Sequence, residues 1–197
     1  MRPMLEARDV SFRYGGGPVV LGGVSIAVAP GDIVGLGGTS GRGKSTLGRI
    51  LAGHLAPAGG TVRVDGAPIG GGLRPVQYLH QSPIHAVDPR WRLGRIVEEA
   101  WSPDDDTREA LGVARGWYDR YPHEVSGGEL QRIALLRALA PGVRYLVADE
   151  ISAMLDPVTQ ADIWAALKTR CAAGLGILAI SHSKALLGRI ASRIEML

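Results

Sequence analysis

The sequence predicts an α/β fold: a parallel sheet covered by helices, an antiparallel β layer beside it and a small helical lobe. Three observations carry this. Apolar residues alternate at Val10, Phe12, Tyr14 and again at Val24, Ile26, Val28, the period of strands with one buried face. Three continuous apolar runs, at 33–36, 145–148 and 176–180, have the length and composition of strands buried on both faces. Helical patterns alternate with these runs, and that order implies parallel strands joined by helical crossovers.

The elements follow in chain order. Gly15-Gly16-Gly17-Pro18 joins the two alternating strands, and Pro30-Gly31-Asp32 turns the chain into the first apolar strand. That strand runs into a glycine-rich loop and then a helix expected over 45–53. Residues 61–66 return to strand and turn. From 83 to 122 the pattern breaks into short helical pieces, at 93–100 and 107–114, separated by Pro, Asp and Gly. The segment 126–140 has apolar positions at helical spacing and is stopped by Pro141-Gly142. The strand 145–148 ends in Asp149-Glu150. A helix opens at Asp156-Pro157 and runs to about 170 with Ile163, Trp164 and Leu167 inward, and the strand 176–180 ends at Ser181-His182. The chain thus divides into an antiparallel layer (about 1–30 and 60–70), a helical lobe (about 83–140) and a core formed by the remainder. All belong to one domain spanning 1–197, without internal repeat or low-complexity linker.

Composition narrows the function. The 197 residues are 46% hydrophobic and 21% charged, with a formal net charge of +3, a globular profile and too mild a charge to point to nucleic acid. A single cysteine, Cys171, excludes an intrachain disulfide and a cysteine-based zinc site and suits a reducing cytoplasm. The start, Met1-Arg2-Pro3, lacks the apolar stretch of a signal peptide, and no run approaches the ~20 apolar residues of a membrane span. His54, His80, His85 and His123 lack metal-ligand spacing. Asp104-Asp105-Asp106 reads as the acidic start of a helix, and Trp91, Trp101 and Trp117 read as packing residues. Of the 22 basic residues only three are lysines, so Lys44 asks for a specific reason.

The reason lies in Gly38-Thr39-Ser40-Gly41-Arg42-Gly43-Lys44-Ser45, which matches G-x-x-x-x-G-K-[ST] between an expected strand and an expected helix. Glycines at 38, 41 and 43, with Ser40 among them, let successive backbone N–H groups wrap phosphate oxygens, and the helix adds its positive end. Lys44 then reaches the β- and γ-phosphates, Ser45 offers its hydroxyl to Mg²⁺, and Thr46 completes the nucleotide-binding set. An ordinary glycine-rich turn explains the glycines but not their placement. Asp149 and Glu150 stand at the C-terminal end of an apolar strand, where α/β sheets bind ligands. Asp149 is placed to hold Mg²⁺ through water and Glu150 to polarise an attacking water. Alone, such a pair reads as a solvated strand end; the upstream loop reverses that preference.

Ser126-Gly127-Gly128-Glu129-Leu130-Gln131-Arg132 decides among nucleotide-binding families. Here the chain resembles an ATP-binding cassette ATPase, whose signature is Leu-Ser-Gly-Gly-Gln; Val125 and Glu129 depart from it at the two flanks. The resemblance implies a P-loop NTPase (RecA-like) core and ATP with Mg²⁺ as cofactors. It also implies two ATP molecules held head-to-tail between two cassettes, with Ser126, Gly127 and Gly128 receiving the γ-phosphate bound by the facing subunit. It assigns Tyr14 to adenine stacking, Gln81 to Mg²⁺ and the attacking water, with Gln77 a less fitting register, Asp156 to the loop between subunits, and His182 to the γ-phosphate. Glu150, His182 and Gln81 are then the catalytic set, and Ser45, Gln81 and Asp149 the metal set.

Within the family, Gln81-Ser82-Pro83, Asp88-Pro89-Arg90-Trp91, Tyr121-Pro122-His123-Glu124 and Ile151 after the acid pair are similar to the dipeptide, oligopeptide and nickel uptake ATPases. Such proteins work peripherally at the cytoplasmic face of the membrane. Their partners are membrane permease subunits, an identical or related second ATPase and, indirectly, an external substrate-binding protein, with no nucleic acid. The part of the lobe from about 83 to 122 is where the resemblance places the permease, with an exposed indole as an anchor. Arg42 and the 15 residues after His182 depart from the family pattern. Three rivals fit less well. A soluble cassette ATPase of translation or DNA maintenance usually has two cassettes or a long insert. A P-loop kinase leaves Ser126–Gly128 and His182 unused, and an inactive partner does not need Lys44 and Glu150.

Overall fold

The structure is a computed structural model that describes residues 3–69 and 75–197. Residues 1, 2 and 70, which the sequence assigns to the antiparallel layer, lie outside the described residues, as do Met1 and Arg2 of the start.

β1 (Leu5–Arg13) pairs antiparallel with β2 (Val19–Val28) on one side and with β4 (Gly59–Val64) on the other, and β5 (Ala67–Pro68) extends the sheet in the order β2-β1-β4-β5. Leu5, Ala7 and Val10 face inward with Ile26 and Val28, as the alternation requires. The pattern does not run evenly to Tyr14. Register shifts after Ala7, Val10 and Phe12 bend the strand, Asp9 takes φ +51, and Tyr14 lies past the strand end, exposed. β-Bulges increase twist and re-aim the residues that follow them.

The second sheet is all parallel. β3 (Ile33–Gly37), β6 (Val76–Leu79), β7 (Tyr145–Asp149), β8 (Gly176–Ile180) and β9 (Arg193–Met196) lie in the order β6-β7-β8-β3-β9. Every residue of β3, β7 and β8 is buried, which is why their sequences are continuous apolar runs. Alternate side chains enter two cores. Val34, Leu36, Tyr78, Val147, Leu178 and Ile180 join the antiparallel layer and α1 (Lys44–Leu51), whereas Leu79, Leu146, Ala148, Ile177 and Ala179 join the helices on the opposite face. Those helices are α4 (Gly127–Ala138), α5 (Pro157–Ala172) and α6 (Lys184–Ile190), with α2 (Leu93–Glu98) and α3 (Asp105–Ala110) in the lobe.

The helices depart from the sequence reading mainly at their ends. The helix expected over 107–114 is Asp105–Ala110: Asp104 Oδ1 accepts from Thr107 N at 2.8 Å, fixing the start, and Gly112 at φ +63 turns the chain just beyond its end. The acidic triplet is therefore a helix start, as read. Helix α1 begins at Lys44 and ends at Leu51, two residues before the expected end. β9 was not expected; half of its four residues are charged, and among the described residues it pairs, as an edge strand, only with β3. Trp91, Trp101 and Trp117 pack against the lobe core, as expected.

Candidate functional site

A cleft of about 850 Å³ opens at the C-terminal ends of β3, β7 and β8, between the antiparallel layer and the loop after β6. Its volume suits a nucleotide-sized ligand. Tyr14, Val20, Thr39, Ser40, Gly41, Gly43, Lys44, Ser45, Thr46, Gln81, Asp149, Glu150 and His182 surround it.

The loop from Gly38 to Gly43 needs its glycines. Gly38, Gly41 and Gly43 have φ of +137, +81 and +91, in the region that L side chains rarely adopt. A Cβ on Gly43 would also stand 2.8 Å from Leu21 Cδ2. Lys44 Nζ donates to the carbonyls of Gly38 at 2.8 Å and Thr39 at 2.9 Å, so the loop is closed around its own ammonium group. Gly43 is the N-cap of helix α1 and supplies no side-chain cap, and first-turn N–H groups without a side-chain acceptor are a ready phosphate site. The Tyr14 hydroxyl lies 3.1 Å from Thr46 Oγ1. This leaves the tyrosine ring, 49% exposed, at the mouth of the cleft.

The acid pair splits by environment. Asp149, the last residue of β7, is 5% exposed. Its Oδ2 accepts from the Tyr78 hydroxyl, and its Oδ1 is buried with no partner among the described residues. Glu150 comes after the strand at φ +52, an uncommon conformation for a non-glycine residue and one concentrated at functional sites. Its N–H donates to Ile180 O at 3.1 Å. Its carboxylate accepts from His182 N at 2.7 Å, lies 2.9 Å from His182 Nδ1, and accepts from Ser181 Oγ at 3.3 Å. The ends of β7 and β8 thereby bring together two side chains 32 residues apart. Gln81, two residues beyond β6, is exposed on the same cleft.

The remaining expected residues lie elsewhere. Ser126, Gly127 and Gly128 do not line this cleft. Ser126 caps α4: its Oγ accepts from Glu129 N at 3.2 Å while Glu129 Oε2 accepts from Ser126 N at 2.7 Å, a capping box. Gly128 has a packing role as well, since a Cβ there would stand 3.3 Å from Thr159 Cγ2 of α5. Asp156 is exposed outside the cleft and caps α5, accepting from Val158 N and Thr159 N, both at 3.0 Å. Those hydrogen bonds, chiefly from Thr159, hold its carboxyl below the usual carboxylate range.

Two contributors escape the sequence reading. Tyr78 is a buried β6 residue whose hydroxyl reaches Asp149, and burial first, then that carboxylate, pushes its own ionisation upward. Ser152 accepts at Oγ from Trp164 Nε1 and from Gln160 Nε2, each at 3.0 Å, pinning the turn after Glu150. A tyrosine within the short segment Val76-Gln77-Tyr78-Leu79 is the only sequence sign of the first; Trp164 is legible as an inward residue but not as a donor.

A phosphate loop between strand and helix, facing an acidic strand end and a histidine in one cleft, defines a P-loop ATPase. The family model of the ABC transporter matches residues 21–153, and the chain belongs to that family. Among curated relatives, the nickel import ATP-binding protein NikE of Rhodospirillum rubrum is 36% identical over all of this chain and 82% of its own length. A putative peptide import ATP-binding protein of Brucella abortus is 35% identical over 96% of this chain, which spans 64% of that relative. Among solved structures, a dimeric ATP-binding cassette in a post-hydrolysis state with ADP and Pi superposes with a TM-score of 0.83 at 22% identity, covering 98% of this chain and 94% of that one. The protein cbiO1 of Clostridium perfringens, part of an ABC transporter complex, gives 0.82 at 20% identity, covering 100% and 85%. These two share the fold. The chain is accordingly an ATP-binding ATPase of the ABC family.

The site fits a divalent metal shared with phosphates. Among the described residues no group of three or more His, Cys, Asp or Glu side chains gathers to hold an ion alone. Asp149 Oδ1 nevertheless stands buried and unpartnered, and Mg²⁺ typically takes one or two carboxylates plus substrate phosphates.

Proposed function

We propose that this chain is the ATP-hydrolysing subunit of an importer for peptides, nickel or a metal chelate. It works peripherally at the cytoplasmic face of a membrane on separate permease subunits and pairs with an identical or related ATPase. The observation that carries the reading is the cleft itself, where the Lys44 loop, the Asp149-Glu150 strand end and His182 meet. The names of the Rhodospirillum and Brucella relatives support import. Among the described residues no helix is long and apolar enough to cross a membrane, which agrees with a separate permease.

The chemistry follows from position. Tyr14 offers a ring face to adenine, and Gly38 to Thr46 receive the phosphates on backbone N–H groups. Lys44 exchanges its carbonyl partners for β- and γ-phosphate oxygens. Ser45, Gln81 and Asp149 are the residues that would hold Mg²⁺, which when bound offsets phosphate charge. Glu150 orients and activates the attacking water, and His182, held against that carboxylate, organises it against the γ-phosphate. Ser126, Gly127 and Gly128 do not line this cleft; by the family resemblance they serve the nucleotide of the second ATPase, with Asp156 in the interface between subunits. Met154 and Val158 flank Asp156 at 79% and 71% exposure, apolar surface of the kind that a partner covers.

The decisive variant is Glu150→Gln, which keeps size and removes the base. ATP turnover, read as phosphate release, is expected to fall at least a hundredfold, consistent with the ~10²–10⁴ of a lost general base. ATP binding persists and sedimentation shows a nucleotide-trapped dimer. Normal turnover in the variant would refute the mechanism.

A further inference from the structure

We propose that Tyr78 is a positioning residue for ATP hydrolysis: its hydroxyl holds Asp149 by one carboxylate oxygen so that the other is left for the metal. The inference rests on the ATP–metal reading of the cleft. Tyr78 sits in the middle of β6, 7% exposed, and its hydroxyl donates to Asp149 Oδ2 on the neighbouring strand β7. The Tyr78 hydroxyl is the donor and Asp149 Oδ2 the acceptor, so the tyrosine proton is committed to Asp149. The Arg49 guanidinium near the phenol opposes the rise in its ionisation.

The ring cannot drift. Its Cε2 would lie 3.1 Å from a Cβ on Gly48 of α1, and its centroid lies 4.8 Å from that of His80 and 5.6 Å from that of His54. A rigid phenol fixes the carboxylate plane, because Oδ2 must stay on the hydroxyl. Oδ1 then has no partner among the described residues and is buried. A desolvated carboxylate oxygen is costly unless something charged completes it, and in this cleft the completing group is a cation carried in with the triphosphate. Removing the phenol oxygen would leave Oδ2 unpaired as well and free the carboxylate to rotate. Outer partners of this kind typically matter 10–100-fold for metal affinity or activity.

The experiment compares the full-length chain with Tyr78→Phe, which deletes a single oxygen, both in the Glu150→Gln background so that ATP survives. Mn²⁺ replaces Mg²⁺ as an EPR-visible probe and is titrated with ATP present; ATP affinity is measured separately in EDTA. Tyr78→Phe is expected to weaken Mn²⁺ binding about tenfold while ATP affinity in EDTA stays within about twofold. With Glu150 restored, the metal concentration for half-maximal turnover rises by a similar factor. Unchanged Mn²⁺ affinity would overturn the proposal, and so would an equal loss of ATP affinity in EDTA, which marks general damage to the cleft. No ATP-dependent Mn²⁺ uptake by the parent chain is a different result: it defeats the reading of the cleft itself.

Discussion

At the scale of single residues, a side chain proposed for an interface can also serve the fold, and pH reads the structural role of Asp156. Its carboxyl is held low, first by hydrogen bonding from Thr159. A carboxylate whose folded value lies below its unfolded one adds stability that is complete above the unfolded value and lost as pH falls through the folded value. Asp156→Asn keeps an oxygen acceptor for Val158 N and Thr159 N but cannot titrate. Thermal unfolding followed from about pH 7 to about pH 2 should therefore show a slightly lower Tm at neutrality and a shallower acid limb than the parent. A parallel acid limb in the variant would assign the acid sensitivity to other groups, of which Asp88, lowered to about 2 by Arg90 on the surface, is the nearest comparison. The cleft residues with a motif were all legible from sequence: Lys44, Asp149, Glu150 and His182 meet as read. Tyr78 was not, because its partner lies 71 residues away and no spacing rule reports a cross-strand hydrogen bond. Asp156 was legible as the opening of a helix, which it caps; its hydrogen-bond distances needed coordinates.

At the scale of elements, α1 carries Lys44, Ser45 and Thr46 of the proposed phosphate site, and its seat on the sheet depends on one missing side chain. A Cβ on Gly48 would lie 2.9 Å from Ile180 Cδ1, 3.0 Å from Val147 Cγ1 and 3.1 Å from Tyr78 Cε2. Overpacking of this kind costs about 1–3 kcal/mol. Gly48→Ala is thus expected to lower Tm and to weaken ATP binding, since Lys44, Ser45 and Thr46 ride on the displaced helix. Gly188 in α6 is the counterpart: a Cβ there meets nothing within 4 Å, and Gly188→Ala should stabilise by about 0.5–1 kcal/mol through helix propensity. Calorimetry on both variants checks the pair, and equal Tm values would refute the packing argument. The strands buried on both faces were readable because burial leaves no choice but apolar residues. The lobe helices were readable only in outline, since pieces of six residues end where a cap or a turn glycine dictates rather than where a period fades. β9 has too little buried surface to write a pattern into its sequence.

At the scale of the whole molecule, the two cores lie on opposite faces of one sheet and leave the cleft open along the sheet's C-terminal edge. The signature residues Ser126 to Gly128 lie outside the cleft lining, at the start of α4, where a Cβ on Gly128 would stand 3.3 Å from Thr159 Cγ2 of α5. Under the proposed pairing each chain holds most of one site and the remainder of another, the division that the resemblance of the signature motif implies. Mass action then gives a kinetic signature. If hydrolysis needs two chains, turnover per chain must rise with protein concentration until pairing saturates, whereas a self-sufficient site gives a constant rate per chain. Met154, 79% exposed and not among the residues lining the cleft, provides the control. Met154→Glu places a charge on the apolar patch beside Asp156, so its turnover per chain should remain near the dilute-parent rate at all concentrations. ATP binding, measured with a fluorescent nucleotide, should match the parent because the cleft is untouched. A rate per chain independent of concentration in the parent, with sedimentation showing single chains throughout, would mean that this cassette hydrolyses ATP alone and that the signature face serves another purpose.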